Sequence, residues 1–260
     1  MEVATEKPHS HYWKLFFILT GMCLFGAIAV LPYTLSLQAN SVTYDTKTLI
    51  LIGAASAIQN AIFCAVAIAI GLRISKSVGL RIPFFEGILN KEHLWKKFGP
   101  IIIQSVSLGI LASIIIIALD LLFNKGIINE GASRGNSGIL SFYGFLASFY
   151  GGINEEILLR LFLMSIVVWL FSKINAIKDK PITFWISIII TAIIFGIGHL
   201  PTARLLGPLT PLITTRIIVL NGIGGIVFGY LYWKNGIESA MIAHFSGDII
   251  LHAILPLFFI

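Results

Sequence analysis

The stretch GGINEEILLR, Gly151 to Arg160, puts two glutamates and an arginine into an otherwise apolar run. A charge buried in a bilayer costs a few kcal/mol, so each of the three needs a partner or a task. Glu156 and Arg160 are four apart, share a helix face and can pair. Glu155 projects about 100° away on a helix of 3.6 residues per turn and has no local partner. An unpaired carboxylate among apolar side chains can take up or release a proton near neutral pH. The spacing therefore predicts one glutamate held by the arginine and a second left free to act.

Two further elements share this geometry. FGIGH puts Phe195 and His199 on one helix face, and HFSGD does the same for His244 and Asp248. His252 extends the second stripe by one turn. Histidine changes charge near physiological pH and ligates metals when neutral. Singly, each piece has a bland explanation as a hydrogen-bonded core residue. His252 is assigned to packing on that ground, as is Asp120 in an earlier segment. Together, three proton-active elements on three separate apolar segments point to acid–base chemistry.

The segments that position these residues are membrane helices. The chain of 260 residues is 57% hydrophobic and 12% charged, with mean hydropathy +0.93. That is about half the charge of an ordinary soluble domain. Several stretches run for about 20 residues with few or no charges, the length a helix needs to cross ~30 Å of hydrocarbon. The expected class is an all-α polytopic bundle; a β-barrel would alternate over segments of about ten residues. Cys23 and Cys64 lie inside spans and define no disulfide framework. The first apolar segment is too long for a signal-peptide core and is read as a retained helix. Glu2 follows the initiator, and no cysteine motif ends the chain, so no lipid anchor is indicated. The net charge of +6 fits loops facing an anionic leaflet rather than nucleic acid.

Seven spans are expected, at about 13–36, 48–72, 98–123, 138–172, 182–200, 212–233 and 237–259. The fourth is expected to break at Gly151-Gly152, because glycine is a weak helix former. With the N-terminus in the cytosol, twelve basic residues fall on the cytosolic side: Lys7, Lys14, Arg73, Lys76, Arg81, Lys91, Lys96, Lys97, Lys173, Lys178, Lys180 and Lys234. Five fall outside: Lys47, Lys125, Arg134, Arg204 and Arg216. That bias, and five tryptophans near cytosolic ends, predict an N-in, C-out topology. Residues 84–97 mix apolar and basic types and read equally as an interfacial helix or a charged loop. Gly225 and Gly229 form a small-xxx-small pair suited to close helix packing. The chain divides into 1–137, three spans with a cytosolic loop at 73–97, and 138–260, which carries every motif.

The set E-E-x-x-x-R, F-x-x-x-H and H-x-x-x-[N/D] resembles the CPBP family of intramembrane proteases. These are the type II CAAX prenyl endopeptidases and their bacterial relatives linked to bacteriocin processing and self-immunity. The resemblance covers roughly residues 138–256. It implies Glu155 as the general base that activates a water, and His199 as a second acid/base or as the group that orients that water. It implies His244 and Asp248 as oxyanion stabilisers or metal ligands, with Glu156 and Arg160 bracing the helix and Phe195 packing on the site. Two positions depart from the family: Leu161 stands where glycine is frequent, and Asp248 where asparagine is. An ionised Asp248 cannot donate to an oxyanion, which favours a histidine-orienting or metal-binding role. Zinc, with His199 and His244 as ligands, is compatible with the resemblance, but no H-E-x-x-H signature demands it.

The expected function is hydrolysis of a peptide bond in a membrane-associated, prenylated or otherwise hydrophobic peptide. The expected surroundings are a lipid bilayer, a prokaryotic plasma membrane, with a peptide or protein substrate and no nucleic acid. A proton-coupled carrier and a catalytically silent immunity or scaffolding protein are the competing readings, since buried Glu, His and Asp also serve proton relays. Counting rise from the cytosolic ends sets Glu155 and His199 ~25 Å deep but His244 only ~10 Å. Tilt, the glycine break or a re-entrant stretch at 201–211 must close that gap for the catalytic reading to hold.

Overall fold

The computed structural model describes residues 11–38, 45–92, 94–123, 137–178 and 180–259, and every regular element among them is helical. Lys7, Lys125 and Arg134, which enter the charge bias above, lie outside the described residues. Six described helical segments are long and apolar enough to cross a membrane: Tyr12–Leu37, Lys47–Ser77, Phe98–Phe123, Pro181–Leu206, Pro211–Asn235 and Ile237–Phe258. Only 17–39% of their most apolar windows is buried within the chain. Phe17, Leu51, Ile103 and Ile193 accordingly point outward. An outward apolar surface is stable where the solvent is hydrocarbon, so the chain is an integral membrane protein.

The elements are α1 (Tyr12–Ala29), α2 (Leu31–Gln38), α3 (Thr46–Ser77), α4 (Pro83–Leu89), α5 (Leu94–Phe123) and α6 (Ser137–Phe149). After them come α7 (Ser165–Phe171), α8 (Pro181–Gly198), α9 (Leu200–Leu206), α10 (Pro211–Asn235), α11 (Ile237–Asp248) and α12 (Pro256–Phe259). Between α6 and α7 the chain does not break at Gly151-Gly152, contrary to expectation. It stays helical and loosens into π turns over Tyr150–Glu155 and Ile157–Met164. The glycines serve approach instead: a Cβ on Gly152 would lie 2.9 Å from Cβ of Phe245 and 3.0 Å from the Met241 carbonyl. A third π stretch, Ile249–Ile254, continues α11.

The segment expected as a cytosolic loop at 73–97 is largely helical, comprising the end of α3, the short α4 and the start of α5. Glu238, in the first turn of α11, accepts hydrogen bonds from the Phe84 and Phe85 amides at 2.9 Å each. It thereby satisfies the free donors that begin α4. Gly236, with φ 103°, makes the turn from α10 to α11, a conformation few other residues adopt. The stretch 201–211, one of the three places where the depth gap could close, begins as α9, a helical continuation past His199, and ends in a short link.

Two helix contacts made by small side chains set the position of the site. On α5, Ser105, Gly109 and Ser113 recur every four residues and face Ser239, Ala243 and Gly247 of α11. The Ser105 and Ser239 hydroxyls are 2.6 Å apart, and Ser113 donates to the Gly247 carbonyl at 3.1 Å. A Cβ on Gly109 would run into the Ala243 carbonyl. On α10, Gly225 meets Ala192 and Gly229 meets Ile188 of α8, at 2.8 and 3.1 Å for a hypothetical Cβ. The small-xxx-small pair expected there does admit a neighbouring helix.

Candidate functional site

Glu156 and Arg160 are both wholly buried, one turn apart, with Nη1 of Arg160 3.2 Å from Oε1 of Glu156. Two unscreened charges in such a place need further partners. Nη2 of Arg160 donates to the Gly225 carbonyl at 3.1 Å. Its guanidinium also lies 5.1 Å from the Phe195 ring centre and 5.6 Å from that of Phe228. Glu156 gains a second contact from another helix: Nδ1 of His244 lies 2.8 Å from Oε1.

A carboxylate can only accept, so Nδ1 of His244 carries the proton and Nε2 is left toward the interior. Oε2 of Glu155 stands 3.7 Å from that Nε2, and Oδ1 of Asp248 stands 3.6 Å from it. Both gaps exceed a direct hydrogen bond. A water about 2.8 Å from two of these atoms at once fits such spacings. The imidazole is clamped by aromatic rings, stacked on Phe228 at 4.4 Å and edge-on to Phe195 at 5.6 Å.

His199 ends α8. Its Nδ1 lies 2.9 Å from the Phe195 carbonyl, again an acceptor only, so its Nε2 is also free. Phe195 packs edge-on against His199 at 4.7 Å and so touches both imidazoles. Glu155, His199, His244, Asp248 and Phe195 all line one cavity of about 1040 Å³. The structure thus gathers Glu155, His244 and Asp248 about one nitrogen, sets Glu156 and Arg160 behind it, and joins His199 to the group through the shared cavity.

Sequence reasoning missed or undervalued several neighbours. His252, assigned to packing, lines the cavity with Nε2 3.9 Å from Oδ1 of Asp248. Its Nδ1 is 3.4 Å from the Tyr33 hydroxyl of α2, a helix that carries no motif. The i,i+4 stripe through Asp248 was the available signal for His252; for Tyr33 there was none. Asn154 donates to the Cys23 carbonyl at 2.8 Å and to Oδ1 of Asn60 at 2.7 Å, tying the site helix to α1 and α3. Asp120 and Arg216 line the same cavity as a pair, with Nε of Arg216 donating to Oδ1 of Asp120. Gly151 has no room for a side chain, since a Cβ there would strike the Asp248 carboxylate and lie 3.1 Å from Nε2 of His244.

Among the described residues no group of three His, Cys, Asp or Glu side chains is arranged to hold a metal ion. His199 and His244, the expected ligands, each keep Nε2 free, but no third donor among the described residues converges with them on one point. The residues do not fit a three-ligand zinc site, and no step below runs through a metal.

Residues 137–250 match the family model described as type II CAAX prenyl endopeptidase Rce1-like. No curated protein and no solved structure matches the chain.

Proposed function

We propose that the chain, whose residues 137–250 match the family model of type II CAAX prenyl endopeptidase Rce1-like proteins, is a CPBP-family intramembrane protease that hydrolyses peptide bonds by a water activated at Glu155. The observation that carries this reading is the meeting of Glu155, Asp248 and the free nitrogen of His244, at 3.6–3.7 Å, in the wall of a large cavity among apolar helices.

In the proposed step Glu155 takes a proton from the water as its oxygen bonds to the scissile carbonyl carbon. The carbonyl oxygen becomes an oxyanion. The proton then passes to the leaving nitrogen, the carbon–nitrogen bond breaks, and a carboxylic acid and an amine result. His244 is fixed by Glu156 and the two phenylalanine rings, so its Nε2 can hold the water or relay the proton without reorganising. Asp248 lies between His244 and His252 and, when it carries a proton, can donate to the oxyanion. His199 faces the same space and serves as the second acid/base. The mainly aliphatic lining suits a hydrophobic peptide, prenylated or not, entering from the membrane.

Cleavage of a peptide library by the purified protein in lipid, read by mass spectrometry, tests the proposal. Wild type should cut and Glu155→Gln should not. Equal cutting by the two proteins overturns it.

A further inference from the structure

Tyr150 opens the π stretch that ends at Glu155, yet it plays no part in the step just described. On an α-helix, residues five apart point about 140° away from each other. A π turn bonds residue i to residue i+5 and brings such residues round to one side. Tyr150 and Glu155 are spaced in this way, and both line the cavity. The residue between them in sequence, Gly151, backs directly onto the Asp248 carboxylate. The phenol therefore stands one turn from the base, on the wall that the attacked carbonyl would face.

The direction of its hydrogen follows from two amides in series. The Asn154 amide lies 2.8 Å from the Cys23 carbonyl, which only accepts, so the Asn154 atom there is the nitrogen Nδ2. The same nitrogen is 2.7 Å from Asn60, so the Asn60 atom facing it is the oxygen Oδ1. Nδ2 of Asn60 is thereby turned to the Tyr150 hydroxyl, 3.1 Å away, and an amide nitrogen only donates. The Tyr150 oxygen is the acceptor, and among the described residues no group takes its hydrogen. Hydrogen bonds in such a series polarise one another, which makes the last O–H a stronger donor. Asn60 also lines the cavity, so the chain of donors ends in the space a substrate would occupy.

We propose that Tyr150 is a further catalytic residue, whose hydroxyl donates to the scissile carbonyl oxygen as that oxygen becomes an oxyanion. Tyr150 keeps its hydrogen throughout, and the proton of the attacking water still goes to Glu155. A donor fixed before the reaction stabilises the developing charge without reorganising. It differs in kind from Asp248. A carboxyl group donates only while it carries a proton, whereas a phenol carries its hydrogen at neutral pH. The π turns then have a task, because they set donor and base on one side of a single helix. The inference rests on the protease reading, since an oxyanion arises only where a carbonyl is attacked.

The test uses full-length protein in lipid, a hydrophobic peptide that wild type cuts, and the phosphinate analogue of that peptide. In the analogue a phosphinate and a methylene replace the scissile carbonyl and nitrogen, so it carries the tetrahedral, negatively charged oxygen that Tyr150 should meet. Tyr150→Phe should lower kcat about 10²–10³-fold, the effect of losing one oxyanion donor, with KM and melting temperature unchanged. In a Glu155→Gln background, which does not cut, adding Tyr150→Phe should weaken phosphinate binding about tenfold or more and leave peptide binding unchanged. Turnover by Tyr150→Phe equal to that of wild type overturns the inference and leaves the protease reading standing. Equal weakening of phosphinate and peptide also overturns it, because the hydroxyl then serves binding or folding and not the developing charge. A wild type that cuts no peptide removes the protease reading, and this inference with it.

Discussion

Nδ1 of His244 lies 2.8 Å from Oε1 of Glu156, across 88 residues of chain, and this contact decides which imidazole nitrogen is left free. Glu156 accepts there and at the same time balances Arg160. The two adjacent glutamates therefore divide the work by direction. The one on the sealed face fixes a cation and a tautomer. Its neighbour, turned about 100° away, meets the cavity.

Removing Arg160 should cost stability before it costs anything else. Arg160→Met leaves Glu156 wholly buried with its counter-charge gone, and breaking such a pair on one side costs about 3–5 kcal/mol. Thermal unfolding in lipid should show the loss. The double variant Glu156→Gln/Arg160→Met should recover most of it, because glutamine is uncharged and still offers His244 an acceptor. A single variant that melts with wild type shows that the pair braces nothing.

Glu155→Gln should behave in the opposite way. Glu155 is partly open to the cavity, and its distance to His244 is too long for a hydrogen bond. Its removal should leave the melting temperature unchanged. Turnover should fall by about 10²–10⁴, the usual contribution of a positioned base. A loss of activity that tracks a loss of folded protein contradicts the assignment.

What the sequence discloses here is geometry within a helix, and what it conceals is geometry between helices. The Glu156–Arg160 pair follows from four-residue spacing alone. The bond from His244 to Glu156 does not, because no local rule gives the distance between two rods. Counting rise from helix ends set Glu155 and His244 ~15 Å apart in depth, yet the structure puts their side chains 3.7 Å apart. The count takes all helix ends on one side of the bundle as coplanar. They are staggered: Ser165, at the start of α7, is level with Tyr232 near the end of α10, their hydroxyls 3.0 Å apart. Gly151-Gly152 was misread for a related reason. Low helix propensity is a local argument, and the need for a bare backbone against α11 is a tertiary one that outweighs it. The stripe Ser105, Gly109, Ser113 was in plain view. It lies in the half without chemical motifs, and its meaning depends on the matching stripe Ser239, Ala243, Gly247.

That reading of Gly151 makes a prediction of its own. Gly151→Ala should damage the site, because the new methyl collides with the Asp248 carboxylate and crowds Nε2 of His244. Activity should drop far more than stability, since alanine is the better helix former by about 1 kcal/mol. Gly21→Ala is the control. A Cβ there meets nothing within 4 Å, so the variant should match or slightly exceed wild type in melting temperature and keep full activity. Comparable behaviour of the two variants removes the packing role assigned to Gly151.

The last prediction concerns metal. A catalytic zinc needs three protein donors converging on one point with a fourth position open. Here His244 and His199 each keep Nε2 free, with Nδ1 held by Glu156 and by the Phe195 carbonyl, but no third donor completes a set with them among the described residues. In the proposed mechanism the polarisation comes instead from fixed groups: the clamped His244, Asp248 when it carries a proton, and His199. Such a site has nothing for a chelator to remove. Turnover in lipid should be the same before and after dialysis against a strong chelator. Metal analysis of the active protein should find well under one zinc per chain. A rate that collapses on chelation and returns on adding zinc defeats this account of the chemistry, and it does so independently of any variant at Glu155.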